Sequence, residues 1–251
     1  MSWIQLLTFS QCQRIHGLKD ILQEDSDDEV TYMSTRSNFD NKLKELKDLL
    51  LKMADKSEHA IKEAMIALIN QDMEKAQQVI DGDNEIDDLE YEINDKALML
   101  IARESPVATD LRKINVALKV SSEVERFADI AVNIAKSAVH IGNEAHFKKI
   151  IDIPKMMEMA LEMVSDSITA YYSEDIDLAK KCAEKDDEVD KMFGSLIQEL
   201  LGYIPQNPNS TNQIIQLAFV CRFIERIADH STNIAEDVIF LVTGKRYNLN
   251  A

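Results

Sequence analysis

The sequence predicts an all-α protein made of two tandem, pseudo-symmetric three-helix bundles, six long helices in total. Three observations carry this prediction. The 251-residue chain is 45% hydrophobic and rich in Leu, Ile, Ala, Met, Lys and Glu, with only 6 Gly and 4 Pro, so helix formers abound and turn residues are scarce. Apolar residues recur at helical spacing, as in Leu43, Leu46, Leu50 and Met53, or Ile86, Leu89 and Ile93. Finally, ERFADIAVNIA at 125–135 returns as ERIADHSTNIA at 225–235, with seven of eleven letters shared.

Taken in order, the helices are expected near 37–70, 73–104, 106–141, 154–172, 176–201 and 208–243. The first begins its apolar stripe at Phe39. Ser105-Pro106 and Asn207-Pro208 each set a capping residue before a proline at the first helical position, opening the third and sixth helices. Gly142, Gly202 and Gly244 follow long periodic runs and suit left-handed C-terminal caps. The second and fifth helices begin alike: Asp72-Met-Glu-Lys-Ala resembles Asp175-Ile-Asp-Leu-Ala, and Asp83-Asn-Glu-Ile-Asp resembles Asp186-Asp-Glu-Val-Asp, both at a spacing of 103. The later motif repeats at 100, so three residues are deleted between the two, most simply in the turn joining the last two helices of the second copy. Residues 35–145 are thus expected to form the first repeat and 146–251 the second. Residues 1–34 have no counterpart. They join a short apolar start to the acidic run Glu24-Asp-Ser-Asp-Asp-Glu29, and read as a dispensable or disordered extension, with a partner-binding arm as the alternative and Met33 as another start of translation.

With 45 acidic against 28 basic residues the net charge is −17. Such a surface repels nucleic-acid phosphates and anionic lipid and attracts multivalent cations and basic partners. No Lys/Arg block offsets it. Cys12, Cys182 and Cys221 are odd in number and far apart, without a C-x-x-C, so neither a disulfide framework nor a zinc ribbon is indicated and a reducing cytoplasm fits best. No apolar run reaches the ~18 to 20 residues of a membrane-spanning helix, so direct membrane insertion is not expected.

Four acidic i,i+4 pairs stand out: Asp83/Asp87 and Asp186/Asp190 on the second helix of each copy, Glu125/Asp129 and Glu225/Asp229 on the third. A like-charge pair at this spacing costs a helix roughly 0.2–0.5 kcal/mol. Around α-helical turns, Val120, Val124, Phe127, Ala131 and Ile134 centre one apolar face, with Glu125 at its border and Asp129 further toward solvent. One reading makes the pairs solvated acids balanced by Arg126 and Arg226. The other makes them metal ligands: hard cations take several oxygen donors, and carboxylates one turn apart bridge neighbouring ions. Facing pairs on adjacent antiparallel helices would then gather four carboxylates per copy, at exchangeable sites near the surface.

Catalytic signatures are missing. Ferritin-type di-iron chemistry wants inward Glu-x-x-His motifs, and none of His16, His59, His140, His146 or His230 has a glutamate three residues before it. There is no Gly-x-Ser-x-Gly, phosphate-cradling Gly-rich loop or His-Glu-x-x-His. Cys182, Cys221 and Met156-Met157-Glu-Met159 read as packing residues, and His230 as a structural residue with an auxiliary-ligand role as the alternative. The chain is expected not to be an enzyme.

Glu225-Arg-Ile-Ala-Asp-His-Ser-Thr-Asn-Ile-Ala-Glu236 resembles the signature of the PhoU family, as do Ser105-Pro-Val-Ala-Thr-Asp-Leu-Arg112 and Glu125-Arg-Phe-Ala-Asp129. The resemblance runs from about Met33 to Tyr247. It implies a paired three-helix fold whose repeated motifs bind multinuclear metal clusters, iron first, with zinc, manganese or magnesium as alternatives. The implied ligands are Asp83, Asp87, Glu125 and Asp129 in one half and Asp186, Asp190, Glu225 and Asp229 in the other. It further implies a cytoplasmic negative regulator of phosphate uptake and phosphate-starvation signalling, with the ATPase subunit of a phosphate ABC transporter and a phosphate sensor kinase as partners, and a homodimer. A carboxylate-bridged metal enzyme or a metal store is the competing reading. This chain departs from the family pattern at Phe127-Ala128 and in Ser210-Thr-Asn212, where the second copy lacks the Asp-Leu-Arg turn.

Overall fold

The computed structural model describes residues 35–249 apart from 144, 148 and 149. The expectations for residues 1–34, Cys12 and His16 lie outside that range. Eight α-helices follow: α1 (Thr35–Asn70), α2 (Met73–Gly82), α3 (Asn84–Glu104), α4 (Thr109–Ile141), α5 (Asp152–Ser173), α6 (Ile176–Glu184), α7 (Asp186–Tyr203) and α8 (Thr211–Thr243). Among the described residues there is no strand. The fold is all-α, a tandem pair of pseudo-symmetric three-helix bundles: α2 with α3, and α6 with α7, are the halves of the long second helix expected in each copy.

Both second helices break at the acidic motif. Asp83 keeps helical angles (φ −59, ψ −39), but Ile86 N–H donates to Asp83 O three residues back at 2.8 Å. Lys185 does the same in the second copy (φ −74, ψ −21), its O accepting from Glu188 N–H three residues on at 3.0 Å. Gly82, Asp83 and Asn84, and in the second copy Asp186 and Asp187, are weak helix formers, which explains an interruption there. Each second helix also has a firm start. Asp72 accepts from Lys75 N–H at 2.9 Å, and Asp175 accepts from Asp177 and Leu178 N–H at 2.9 and 3.0 Å. The residues just before them, Gln71 (φ 55) and Glu174 (φ 56), turn the chain in the left-handed region 103 positions apart. The repeat is therefore visible in backbone angles as well as in letters.

Three expected boundaries shift. Ser105 closes α3 in the left-handed region (φ 47), donating its N–H to Ile101 O, and does not cap α4. The chain turns again at Ala108 (φ 47), so α4 starts at Thr109 and not at Pro106. Pro106 disfavours helix at Ser105, which ends the preceding helix and needs a turn before the next. Pro208 opens a single 3-10 turn, 208–210, after another at 204–206, and α8 begins at Thr211. Gly202 lies inside α7 and caps nothing. Gly142 (φ 72) and Gly244 (φ 72) do end α4 and α8, their N–H groups donating to Ala138 O and Phe240 O.

The third helices, α4 and α8, form the centre: α4 packs on α1, α2, α3 and α8, and α8 on α5, α6, α7 and α4. Phe127, Ile130 and Ile134 of α4 and Ile224, Ile227 and Ile234 of α8 are fully buried, as are Cys182, Cys221, Met156 and Met157. Burial of each large apolar side chain contributes roughly 1.5–3 kcal/mol. Polar clasps fix α4 antiparallel to α8: Lys119 Nζ meets Asp237 Oδ1 at 2.6 Å, Arg112 donates to Leu241 O at 3.3 Å, and Asn212 donates to His140 O at 3.3 Å. Lys47 joins α1 to the end of α5 through Glu174 at 2.8 Å.

Two glycines test this backbone reading with opposite signs. Gly82 is helical and a Cβ there meets nothing within 4 Å, whereas a Cβ at Gly244 (φ 72) lands 2.8 Å from Arg112 Nη1. Gly82→Ala is expected to stabilise by about 0.4–1 kcal/mol. Gly244→Ala is expected to destabilise by more than about 1 kcal/mol. Urea unfolding of both variants beside the wild type checks the pair.

Candidate metal centre

The four acidic pairs occupy two seams, α3 against α4 and α7 against α8. In the first, the four-residue connection 105–108 returns the chain antiparallel, so Asp83 faces Asp129 and Asp87 faces Glu125. The electrostatics report this register. Burial, then the charges of Asp87 and Asp129, hold the Asp83 carboxyl above its ordinary range, with Lys136 opposing. Burial and Asp129 likewise raise Glu125, Arg126 opposes them, and Glu90 and Asp87 add to the rise. Arg126 bridges the stripe, its Nη1 2.9 Å from Asp129 Oδ2 and its Nε 3.4 Å from Glu125 Oε2.

In the second seam Glu225 is 8% exposed, Asp186 is 6% exposed, Asp229 is half-buried and Asp190 faces solvent. Glu225 Oε1 accepts from the Arg222 guanidinium, while Oε2 is buried without a hydrogen-bond partner. Burial, then the Asp229 charge, push the Glu225 carboxyl up to about 6; Asp190 adds to this and Arg222 opposes it. Asp229 is raised by burial first, with Arg222 opposing and Asp190 reinforcing. His230 sits next to this motif but turns toward α4, with Nδ1 2.6 Å from Glu123 Oε2 and its ring edge-on to Phe127. It serves the contact between the halves.

These donors fit hard cations by their chemistry. All are carboxylates, one buried oxygen lacks a partner, and each seam already attracts a cation in the form of a guanidinium. Their positions are looser than a finished cage: among the described residues, no three acidic, histidine or cysteine side chains converge to hold an ion. A cation binding here would have to draw the carboxylates inward and displace the arginines.

Two participants carry no repeat signal in the sequence. Glu90 contributes a fifth carboxylate to the first seam. Its counterpart at the spacing of 103 is Phe193, and there Arg222 lies 5.9 Å from the ring while binding Glu225. The expected balancing residue, Arg226, lowers Asp229 but forms no ion pair with Glu225 among the described contacts. Position 222 is three residues from 225 and shares its face, whereas its counterpart in the first half is Ser122, and there Arg126 takes the pairing.

Comparison with known proteins decides the family. The PhoU domain matches residues 50–138 and 153–238, one copy per half. The chain belongs to the PhoU family. It is 38% identical over 217 residues to the phosphate-specific transport system accessory protein PhoU homologue of Clostridium acetobutylicum, covering 86% of this chain and 99% of that one. It is 41% identical over 203 residues to the Aquifex aeolicus PhoU homologue, covering 81% and 92%. Among solved structures, PhoU from Pseudomonas aeruginosa superposes with a TM-score of 0.78 at 31% identity over 82% of this chain and 100% of the other. The phosphate transport system regulatory protein PhoU from Streptococcus pneumoniae gives 0.78 at 26%, covering 84% and 99%.

The raised carboxyls give this PhoU-family chain a defined pH response. Glu225 binds its proton more tightly folded (about 6) than at its ordinary value of 4.5, so folding gains stability as pH falls from 7 through 6 toward 4.5. Asp83, Glu125 and Asp229 act in the same direction. Glu174, held low by Lys47, opposes this only below its ordinary 4.5. In chelator-treated buffer the thermal midpoint is expected to rise between pH 7 and pH 5. Glu225→Gln should start higher at pH 7 and rise less, which a melting series at both pH values checks.

Proposed function

We propose that the chain is a metal-binding helical regulator of phosphate uptake and phosphate-starvation signalling, without catalytic activity of its own. The observation that supports this most is the pairing of duplicated carboxylate seams with a PhoU-family scaffold whose relatives are named as accessory proteins of phosphate-specific transport. Asp83, Asp87, Glu125 and Asp129 would hold one multinuclear centre in the repeat 35–145. Asp186, Asp190, Glu225 and Asp229 would hold the other in the repeat 146–251. Iron is the first metal in this proposal, with zinc, manganese or magnesium as substitutes. The metal would supply positive charge that turns repulsion across each seam into attraction, and no bond-making step is assigned to it.

Regulation in this reading is adaptor-like. The helical body docks on the ATPase subunit of a phosphate ABC transporter and on a phosphate sensor kinase, and biases each partner toward its inactive conformation when phosphate is plentiful. The work is placed in the cytoplasm, with the membrane reached only through the transporter; no described helix is long and apolar enough to cross a membrane. A homodimer is part of the same proposal.

Two experiments test it. Purified wild type should carry iron or another of these metals, and Glu125→Gln/Glu225→Gln should carry clearly less by elemental analysis. Equal, negligible metal in both would remove the metal centres. Independently, deleting the gene should raise phosphatase expression and phosphate uptake in phosphate-rich medium, and unchanged values would remove the regulatory role.

A further inference from the structure

The two acidic seams differ at a pair of positions that touch each other in the second half. Phe193 of α7 stands where the first half has Glu90, at the spacing of 103, and Arg222 of α8 stands where it has Ser122, at the spacing of 100. One difference lies on each helix of the seam, and the two act together. The Arg222 guanidinium lies 5.9 Å from the centre of the Phe193 ring while it donates to Glu225 Oε1. Phe193 is half-buried and packs against the hydrophobic core, so the ring is held in place from beneath. With an acid and a hydroxyl at these places, the first seam has no ring to carry a guanidinium.

A flexible arginine loses side-chain freedom when it binds a carboxylate, and that loss weakens most exposed ion pairs. Resting on an aromatic face removes part of the freedom beforehand and adds a cation–π attraction. Arg222 is held in this way, whereas Arg126, the guanidinium of the first seam, makes no aromatic contact among the described residues. The targets differ too. Arg126 comes closest to Asp129, which is partly exposed, at 2.9 Å. Arg222 meets Glu225, which is 8% exposed and whose Oε2 is buried without a hydrogen-bond partner. A buried carboxylate with one oxygen unpartnered calls strongly for positive charge, and Arg222 supplies part of it. The balance of charge leans the same way. Five carboxylates, with Glu90 among them, act across the first seam against Arg126 and Lys136, and four act across the second against Arg222 and Arg226.

On the metal reading of the seams, we propose that Arg222 is a built-in competitor for the second centre, with Phe193 as its positioning residue, so that the two centres load in order. The first seam takes a hard divalent cation at low concentration. The second takes one only when the cation is abundant enough to displace the guanidinium from Glu225. Displacement frees Oε1, which joins the unpartnered Oε2 as a donor to the ion. Two centres of unequal affinity give the chain two thresholds of cation supply in place of one.

The test is a Mn2+ titration of the chelator-treated full chain, followed by NMR on Ala, Ile and Val methyls, because a bound paramagnetic ion broadens the methyls beside it. Ala128 and Ile86 report the first seam, and their buried counterparts Ala228 and Val189 report the second. The first pair is expected to broaden at lower Mn2+ than the second. Arg222→Gln should lower the Mn2+ needed at Ala228 and Val189 by about 5- to 10-fold and leave Ala128 and Ile86 unchanged. Phe193→Leu should lower it by less, and should add nothing in the Arg222→Gln background, because Phe193 acts through Arg222. An unchanged second-seam requirement in Arg222→Gln, a Phe193→Leu effect that persists without Arg222, or a first seam that loads last would each overturn the competitor role and leave the metal reading standing. Methyls of both seams left sharp in wild type and Arg222→Gln alike would overturn the metal reading and the competitor role with it.

Discussion

Repulsion between carboxylates facing each other across two helix seams is the constraint on which the rest of this molecule turns. An acidic i,i+4 pair costs a helix only about 0.2–0.5 kcal/mol. Each large apolar side chain buried behind it contributes roughly 1.5–3 kcal/mol. The core therefore wins, and it holds the acids where they are. Val124, Phe127 and Ala131 fix α4 on one side of Glu125 and Asp129, while Ile86, Leu89 and Ile93 fix α3 on one side of Asp83 and Asp87. Carboxylates on loops would swing apart. These are mounted on packed helices, where burial first and neighbouring carboxylates second raise Asp83, Glu125, Glu225 and Asp229.

The same constraint explains what surrounds the seams. Arg126 and Arg222 each reach the seam from one turn away and relieve part of the repulsion, yet Glu225 Oε2 still has no partner. The two seams are unequal. Glu90 adds negative charge to the first, whereas Phe193 in the equivalent place gives Arg222 a ring to lie on. A guanidinium braced in this way competes more effectively with an incoming cation, so under the proposed function the first seam would be the better cation attractor. His230 and Glu123, and Lys119 and Asp237, spend their charges on joining α4 to α8. The two halves thus share one central packing while their acidic seams remain independent.

Much of this was legible in the sequence, because a strong 3.6-residue period and a duplicated motif both survive without tertiary information. The stripes through Leu46, Leu50 and Met53 or Ile86, Leu89 and Ile93 are buried as their spacing predicts, and Gly142 and Gly244 cap helices with positive φ. Misreadings arose where one local signal serves two ends. Ser105-Pro106 resembles a helix start, but the proline acts backward on Ser105 and the left-handed angle appears there as a C-terminal cap. Gly202 resembles a stop and is simply tolerated inside α7. The breaks at Asp83 and Lys185 fall where Gly82, Asp83 and Asn84, or Asp186 and Asp187, lower the helix propensity, which hydrophobic periodicity does not register. Among the charged residues of the seams, the eight repeated carboxylates stand out in the sequence because they repeat. Glu90 and Arg222 do not, because each exists in one half only.

The central claim is that these seams are cation sites and not merely solvated acids. Its most direct measurement is the thermal midpoint of chelator-treated protein at pH 7, followed as Mn2+ is added against NaCl matched for ionic strength. Binding to the folded form should raise the midpoint with the logarithm of Mn2+ concentration above the dissociation constant. NaCl should give only the small rise expected from screening. A midpoint that follows ionic strength alone, equal for the two salts, would contradict it.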